Sequence, residues 1–121
     1  MAWNLSSDRP IYAQLVEQVK LRIISGLYPV GSKLPSVRDL AAEASVNPNT
    51  MQRALAQLET EGLIFSQRTS GRFVTDKEET VVQLKTALAK DVIREFIFKM
   101  KRLGFSKAEA AKLIEQTEFK D

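Results

Sequence analysis

The sequence predicts a mainly α-helical chain that carries one small β-hairpin. Apolar residues recur at intervals of three and four residues in five segments, which is typical of amphipathic helices. One short segment, 63–75, instead holds two runs of β-forming residues around a turn that contains a glycine. This order of elements predicts an N-terminal winged helix-turn-helix over residues 1–75, followed by a short C-terminal two-helix dimerisation region over residues 76–121.

Composition limits the classes of function that the chain can serve. Its 121 residues are 44% hydrophobic and 27% charged, which suits one modest domain with a small appendage. The sequence has no cysteine and no histidine, so thiol nucleophiles, the commonest general base and the usual transition-metal ligands are missing. No glycine-rich phosphate loop follows a predicted strand. We therefore expect a protein that is not an enzyme and that has no catalytic residue, metal site or cofactor.

The sequence shows no membrane or export segment. No apolar stretch approaches the length that spans a bilayer, and the first eight residues lack a basic region followed by an apolar one. These features predict no membrane partner and a cytoplasmic location. The net charge of +3 agrees with a nucleic-acid partner. Residues 34–75 hold four arginines and four acidic residues, however, so a basic surface there depends on how they are arranged.

The first predicted helix is the scaffold on which the others pack. We place its start at Pro10, because proline suits the first helical position, and its end at Ser25-Gly26. Residues 1–9 look like an arm, in which 3–5 are a candidate short strand. The apolar residues spaced every four along the helix are Ile11, Leu15, Val19 and Ile23. The following loop is expected to add Leu27, Tyr28, Val30 and Leu34 to the core.

Two short helices joined by a tight turn come next. Ser36 is suited to cap the first helix, with Asp39 at the position of a capping box. After a break at 45–46, Asn47 caps a second helix whose first position is a proline, and Gly62 is expected to end it. Each helix has one apolar stripe at i, i+3, i+4 and i+7. Two such helices around a short turn form the helix-turn-helix pattern.

The second helix of this pair carries polar side chains near its N-terminus. Asparagine and glutamine pair bidentately with adenine, arginine pairs with guanine, and threonine contacts a phosphate oxygen or a thymine methyl. An isolated polar helix face is more often simply solvated, but acidic residues are few in these first two turns, which favours DNA. The candidate DNA-binding residues on this helix are Asn47, Asn49, Thr50, Gln52 and Arg53.

A hairpin follows this helix directly. Residues 63–67 and 72–75 are predicted strands joined by 68–71, where Gly71 can adopt a positive φ. Arg68 and Arg72 flank the tip, and guanidinium groups suit the narrow, electronegative minor groove. On a lone hairpin the two arginines would more often be solubilising turn residues. The polar helix beside them favours a DNA-binding wing.

Spaced motifs run through residues 10–75. They are Pro10-Ile11-Tyr12-x-Gln14-Leu15, Gly26-x-Tyr28-x-x-Gly31-x-x-Leu34-Pro35-Ser36-x-Arg38-x-Leu40-Ala41, Asn49-Thr50-x-x-x-Ala54-x-x-x-Leu58-Glu59-x-Glu61-Gly62-Leu63 and Gly71-x-Phe73-Val74. Together they resemble the N-terminal winged helix of the GntR family of bacterial transcription regulators. The short chain is similar to the YtrA-like subfamily, whose effector region is only a pair of helices. The chain departs from the family pattern at the wing, where Thr69 replaces the first glycine of Gly-x-Gly, and at Met51, where valine is common.

The resemblance implies a regulator, often a repressor of transporter operons, that binds a double-stranded DNA operator. It places Arg38, the start of the second helix and Gly71 at the family's DNA-contact positions. It leaves open whether a small-molecule effector exists; such a ligand would bind at a dimer interface or between that interface and the winged helix. A winged helix used only for protein contacts is the alternative, because a fold does not fix a function.

The chain after residue 75 predicts a long helix to about Leu103 and a last helix capped by Ser106 and Glu109. Two neighbouring apolar stripes make a band on the long helix that one short helix cannot cover, so we predict a homodimer that reads an inverted repeat. An interface with the winged helix of the same chain is the alternative. The residues expected at the dimer interface are Leu84, Leu88, Val92, Phe96, Ile97 and Met100. Those expected to face inward on the last helix are Ala110, Ala111, Leu113 and Ile114.

Overall fold

The structure, a computed structural model, describes residues 1–120 and divides into two compact units, Met1–Leu84 and the residues from Lys85 onward. The elements in chain order are α1 (Ile11–Ile24), α2 (Val37–Ala44), α3 (Pro48–Thr60), β1 (Ile64–Gln67), β2 (Gly71–Val74), α4 (Glu78–Arg102) and α5 (Lys107–Gln116). They confirm the predicted mainly helical fold with one small antiparallel sheet. None of the helices among the described residues is long and apolar enough to cross a bilayer.

The first unit is built around a three-helix core. α3 packs against α1 on one side, against α2 on another and against β1 at its end. Burying each of the large apolar side chains contributes about 1.5–3 kcal/mol, so this core is the main source of stability for the elements that it positions. The largest fully buried side chains are Leu15, Val19, Leu40, Met51, Leu55, Leu58 and Val74.

The turn between α2 and α3 contains a serine in a conformation that glycine usually takes. Ser45 has a φ of 56° and lies in the left-handed region. This conformation lets the Val46 N–H donate to the Ala41 carbonyl at 3.0 Å and closes the end of α2. At the start of α2 the Ser36 hydroxyl accepts from the Asp39 N–H at 3.1 Å, which is half of the predicted capping box.

The end of α3 confirms the role predicted for Gly62. Its φ is 77°, its N–H donates to the Glu59 carbonyl at 3.0 Å, and the Leu63 N–H donates to the Leu58 carbonyl at 3.1 Å. These two bonds are the Schellman arrangement, and they turn the chain directly into β1. At the start of α1, by contrast, Pro10 precedes the helix as its cap residue and is not its first helical residue.

The wing is a short hairpin whose register pairs Ile64 with Val74 and Gln67 with Gly71. The connecting loop is therefore residues 68–70, one residue shorter than predicted. Gly71 begins β2 with a φ of 102°. The loop before α2 pairs with the other edge of β2: Lys33 bridges to Phe73, and the Leu34 N–H donates to the Arg72 carbonyl at 2.9 Å. Sequence analysis did not predict this third strand-like segment.

The N-terminal arm contains no strand and is held by polar side chains of α1. Arg22, almost completely buried, donates from Nη2 to the Met1 carbonyl at 2.7 Å, and its guanidinium stacks 3.9 Å from the Trp3 ring centre. The buried Gln14 amide exchanges two hydrogen bonds with the Ser6 backbone, at 2.7 and 2.8 Å. The expected short strand at 3–5 is therefore wrong: the arm is held by side chains of α1 that bind the backbone on either side of this segment, at Met1 and Ser6.

Two predicted core residues of the loop after α1 are exposed. Leu27 and Val30 keep 49% and 39% of their surface accessible, whereas Leu34 is buried and Tyr28 packs at the edge of the core. The reason is the pairing with β2, in which the Val74 N–H donates to the Ser32 carbonyl at 2.9 Å. This bond brings only the end of the loop over the core.

The predicted C-terminal helices are confirmed, and the chain divides within α4. Val81 and Leu84 pack against the core of the first unit, and the second compact unit begins at Lys85. At α5 both bonds of the predicted capping box between Ser106 and Glu109 are present. Ala110 is buried as predicted. The other three residues expected to face inward are exposed in this chain; they are Ala111, Leu113 and Ile114.

Candidate nucleic-acid interface

The start of α3 depends on Asn47, which is also a candidate DNA contact. Its Oδ1 accepts a hydrogen bond from the Asn49 backbone N–H at 2.7 Å. A bidentate pair with adenine uses both the oxygen and the N–H of an amide. Because the cap directs the oxygen of Asn47 at the helix, its N–H groups are what it can offer, and donors alone suit a phosphate better than an adenine edge.

Asn49 and Gln52 are the uncommitted amides of this face. Both are exposed, and within residues 1–120 neither side chain makes a hydrogen bond. Each retains a donor and an acceptor, which is what bidentate reading of an adenine requires. Thr50 lies half-buried between them and presents a hydroxyl at the first turn, where unpaired backbone N–H groups also favour a phosphate.

Arg53 is held by an aromatic ring of α1. Its guanidinium carbon lies 3.8 Å from the centre of the Tyr12 ring, a cation–π geometry. The contact leaves the charge and the N–H edges of Arg53 available but restricts where they point. Farther along α3, Gln57 donates to Glu61 at 2.9 Å, and Glu61 also pairs with Lys20 of α1 at 2.8 Å. The polar side chains of α3 that have no hydrogen-bond partner within residues 1–120 thus lie in its N-terminal part.

Arg38 is the candidate contact on α2. It is the second residue of the helix, is exposed, and has no ion pair in the described part of the chain. Its planar guanidinium therefore remains available for bidentate bonding to a guanine edge or a phosphate.

The wing arginines have different environments. Arg72 donates from Nε to the Glu59 carboxylate at 2.6 Å, and the Ser66 hydroxyl donates to the same oxygen at 2.6 Å. The Ser66 bond, and then Arg72, hold the pKa of Glu59 below its ordinary value of 4.5 although partial burial acts in the opposite direction. Arg72 thus ties β2 to the end of α3, whereas Arg68 is exposed in the tip loop beside Gly71.

Lys33 is a cation that sequence analysis missed. Its β-bridge to Phe73 places it against the wing, although the wing-tip loop, residues 68–70, lies 35–37 positions later in the chain. Only the pairing of the loop with β2 brings it there, and the sequence has no periodic signal for a single bridge. No cluster of three metal-ligating side chains occurs among residues 1–120.

Comparison with known sequences identifies the first unit. The model of the family described as "Bacterial regulatory proteins, gntR family" matches residues 11–74. The chain is 40% identical over 106 residues to the uncharacterized HTH-type transcriptional regulator YhcF of Bacillus subtilis, covering 88% of each protein. It is 37% identical over 92 residues to the HTH-type transcriptional repressor YtrA of the same organism, covering 75% of this chain and 71% of YtrA.

Solved structures extend the similarity to 94% of this chain, and the relatives among them include proteins solved in complex with DNA. A GntR family transcriptional regulator from Listeria monocytogenes superposes with a TM-score of 0.87 at 36% identity, covering 94% of this chain and 100% of the other. AraR(DBD), solved in complex with operator ORX1, superposes with a TM-score of 0.54 at 30% identity, covering 60% of this chain and 88% of that one. With the matched motif and the winged helix described above, these comparisons show that the chain belongs to the GntR family and is a DNA-binding transcriptional regulator, not an enzyme.

Proposed function

We propose that the protein is a homodimeric repressor that binds an inverted-repeat operator, with α3 in the major groove and the wing in the minor groove. The observation that carries this proposal is the exposed face at the start of α3, where Asn49 and Gln52 are uncommitted and Arg38 is uncommitted on α2. YtrA is named a repressor, and AraR(DBD) was solved on an operator; both relatives support the proposal for this chain.

The geometry suggests a division of labour among the DNA-binding residues. Asn49, Gln52 and Arg38 read base edges, because each keeps its full hydrogen-bonding capacity. Asn47 and Thr50 contact phosphates at the start of α3. Arg53 contacts DNA in the orientation that its stacking on the Tyr12 ring allows. On the wing, Arg68 and Gly71 enter the minor groove. Arg72 holds the wing in place through Glu59.

The dimer is proposed from the exposed apolar face of the second unit. A groove of about 420 Å³ there is lined mainly by apolar side chains. Val92 and Ile93 on α4 are 67% and 53% exposed, and Ile114 on α5 is 58% exposed. A second copy of the chain would cover this surface; Leu84 is set aside because it packs on the first unit. The proposed contacts are Leu88, Val92, Phe96, Ile97 and Met100.

Binding to duplex DNA from upstream of the protein's own gene tests the function. The purified protein would be titrated at two salt concentrations, with random duplex as competitor, and the bound site mapped by footprinting. Protection of an inverted repeat that survives competitor and weakens steeply with salt supports the proposal. Equal, weak binding to every duplex contradicts it for this DNA. The regulator would act where the chromosome is, in the cytoplasm.

A matched pair of variants tests whether α3 reads the operator. Gln52→Ala should reduce operator affinity by about 1–3 kcal/mol and relax the preference at one base pair in each half-site. Gln83→Ala removes the same group from an exposed position of α4 and serves as the control. An equal loss for both variants, or a Gln52 loss that is uniform over all sequences, would show that Gln52 does not read a base.

A further inference from the structure

A groove separates the start of α2 from the tip of the wing. It has a volume of about 600 Å³, lies entirely within the first unit, and is bordered by polar groups on both sides. Residues that carry hydroxyl groups line it on both sides: Ser36 at the start of α2, and Thr69 and Ser70 in the wing. Lys33 and Arg72 are the two cations among its lining residues, and Asp39 contributes one carboxylate.

The backbone positions Lys33 in this groove. Lys33 forms a β-bridge with Phe73 of β2. Its two neighbours in the chain are bonded to the same strand: the Val74 N–H donates to the Ser32 carbonyl, and the Leu34 N–H donates to the Arg72 carbonyl, both at 2.9 Å. Lys33 is therefore fixed to the wing as a strand residue would be.

The side chain of Lys33 passes over Gly71. A Cβ added at Gly71 would lie 3.2 Å from Lys33 Cε and 3.9 Å from Nζ. The missing side chain thus leaves room for the lysine beside the wing tip. Within residues 1–120 the Lys33 ammonium forms no ion pair, while Arg72, the other cation of this groove, is bound to Glu59. Of the two cations that line the groove, Lys33 is therefore the one whose charge has no ion-pair partner among residues 1–120.

We propose that Lys33 and the groove between α2 and the wing bind one phosphate of the DNA backbone in each half-site. An ammonium on a flexible stem suits a phosphate, which it contacts as a point charge without reading sequence. Ser36 and Thr69 line the same space, and each carries a hydroxyl group that can donate to a phosphate oxygen. This inference rests on the proposed DNA-binding function and adds to it a contact that fixes the distance between α3 and the wing along the duplex.

The salt dependence of binding tests this assignment. Lys33→Gln should reduce the slope of log K against log salt by about one per bound protomer, and so by about two for a dimer on its operator. Near 0.1 M salt, this corresponds to about a 10- to 100-fold loss of affinity, equal for operator and random duplex. Lys33→Arg keeps the charge and should keep the slope. Lys112→Gln, which removes a charge from exposed α5, is the matched control.

The outcomes separate the inference from the function on which it rests. An unchanged slope in Lys33→Gln, with wild-type protein still protecting its operator, overturns the phosphate site alone. A loss confined to the operator sequence overturns it too, because a phosphate contact carries no base preference. If wild-type protein shows no salt-dependent duplex binding, the proposed function itself is wrong.

Discussion

At the scale of single residues, the structure distinguishes chemically similar side chains by the partners that they bind within the chain. Four arginines lie in the segment from α2 to β2, and the sequence alone does not show which of them are free to bind DNA. The structure does so through partners: Arg72 is bound to Glu59, Arg53 is stacked on Tyr12, and Arg38 and Arg68 are exposed. Such partners come from other elements and could not be read from the local sequence.

The turn of the helix-turn-helix makes a prediction about stability. Ser45 has a φ of 56°, a conformation that costs a residue with a Cβ about 1 kcal/mol relative to glycine. Ser45→Gly should therefore raise the free energy of unfolding by about 0.5–1 kcal/mol. Urea denaturation measures the change, and Ser45→Ala, which removes the hydroxyl but keeps the Cβ, is the control. A Ser45→Gly protein no more stable than Ser45→Ala would contradict this account.

The Glu59 carboxylate, which links the wing to α3, predicts how the stability of the fold depends on pH. Since the folded-state pKa of Glu59 lies below 4.5, its ionised form stabilises the fold above that pH, and this contribution is lost as the pH falls through the folded pKa. Glu59→Gln should cost about 1 kcal/mol at pH 7. The denaturant midpoints of the wild-type protein and of Glu59→Gln should converge as the pH is lowered from 5 to 3. Glu43→Gln, at an exposed position of α2, should cost little at either pH; a Glu59 cost that persists unchanged at pH 3 would argue against the ion pair.

At the scale of elements, local signals predicted the helices well and non-local ones were missed. Caps, prolines and apolar spacing lie within a few residues of one another, so Asn47, Gly62 and Ser106 were assigned correctly from sequence. The pairing of Lys33 with β2 and the docking of the arm on Arg22 join segments far apart in sequence. No spacing rule reports such contacts, which is why the loop and the arm were predicted less accurately than the helices.

Substitutions at Asn47, the cap residue of α3, separate the folding of this helix from its proposed DNA binding. Aspartate caps a helix as well as asparagine, so Asn47→Asp should leave the unfolding free energy within about 0.5 kcal/mol of the wild type. The variant replaces N–H donors with a negative charge at the proposed phosphate contact, so DNA affinity should fall at least about tenfold. Asn47→Ala should lose about 1 kcal/mol of stability as well. Thermal melting and DNA titration of both variants measure the two effects; full binding by Asn47→Asp would remove Asn47 from the interface.

At the scale of the whole molecule, the charge is unevenly distributed between the two units. Residues 1–84 contain equal numbers of basic and acidic side chains, so the net charge of +3 lies in the residues that follow. The first unit therefore offers DNA a few uncommitted cations and no general excess of positive charge.

The proposed dimer predicts the outcome of two substitutions on one helix. Phe96 lines the apolar groove of the second unit, whereas Phe98 is 61% exposed and lies outside its lining. Phe96→Asp should give a monomer at tens of micromolar in sedimentation, because an unpaired buried charge is strongly unfavourable at an interface. Phe98→Asp, the same change two residues away, should stay dimeric. A monomeric wild-type protein would rule out the dimer.

The packing of the arm supplies an optical probe that requires no labelling. Trp3 is the only tryptophan of the chain, is almost completely buried, and stacks on the Arg22 guanidinium. Indole emission depends on the polarity around the ring, so the fluorescence of this protein reports on a single place, the seat of the arm on α1. A titration with DNA or a candidate effector, followed by tryptophan emission, would therefore show whether the arm stays packed on α1, independently of any change in the wing or in α3.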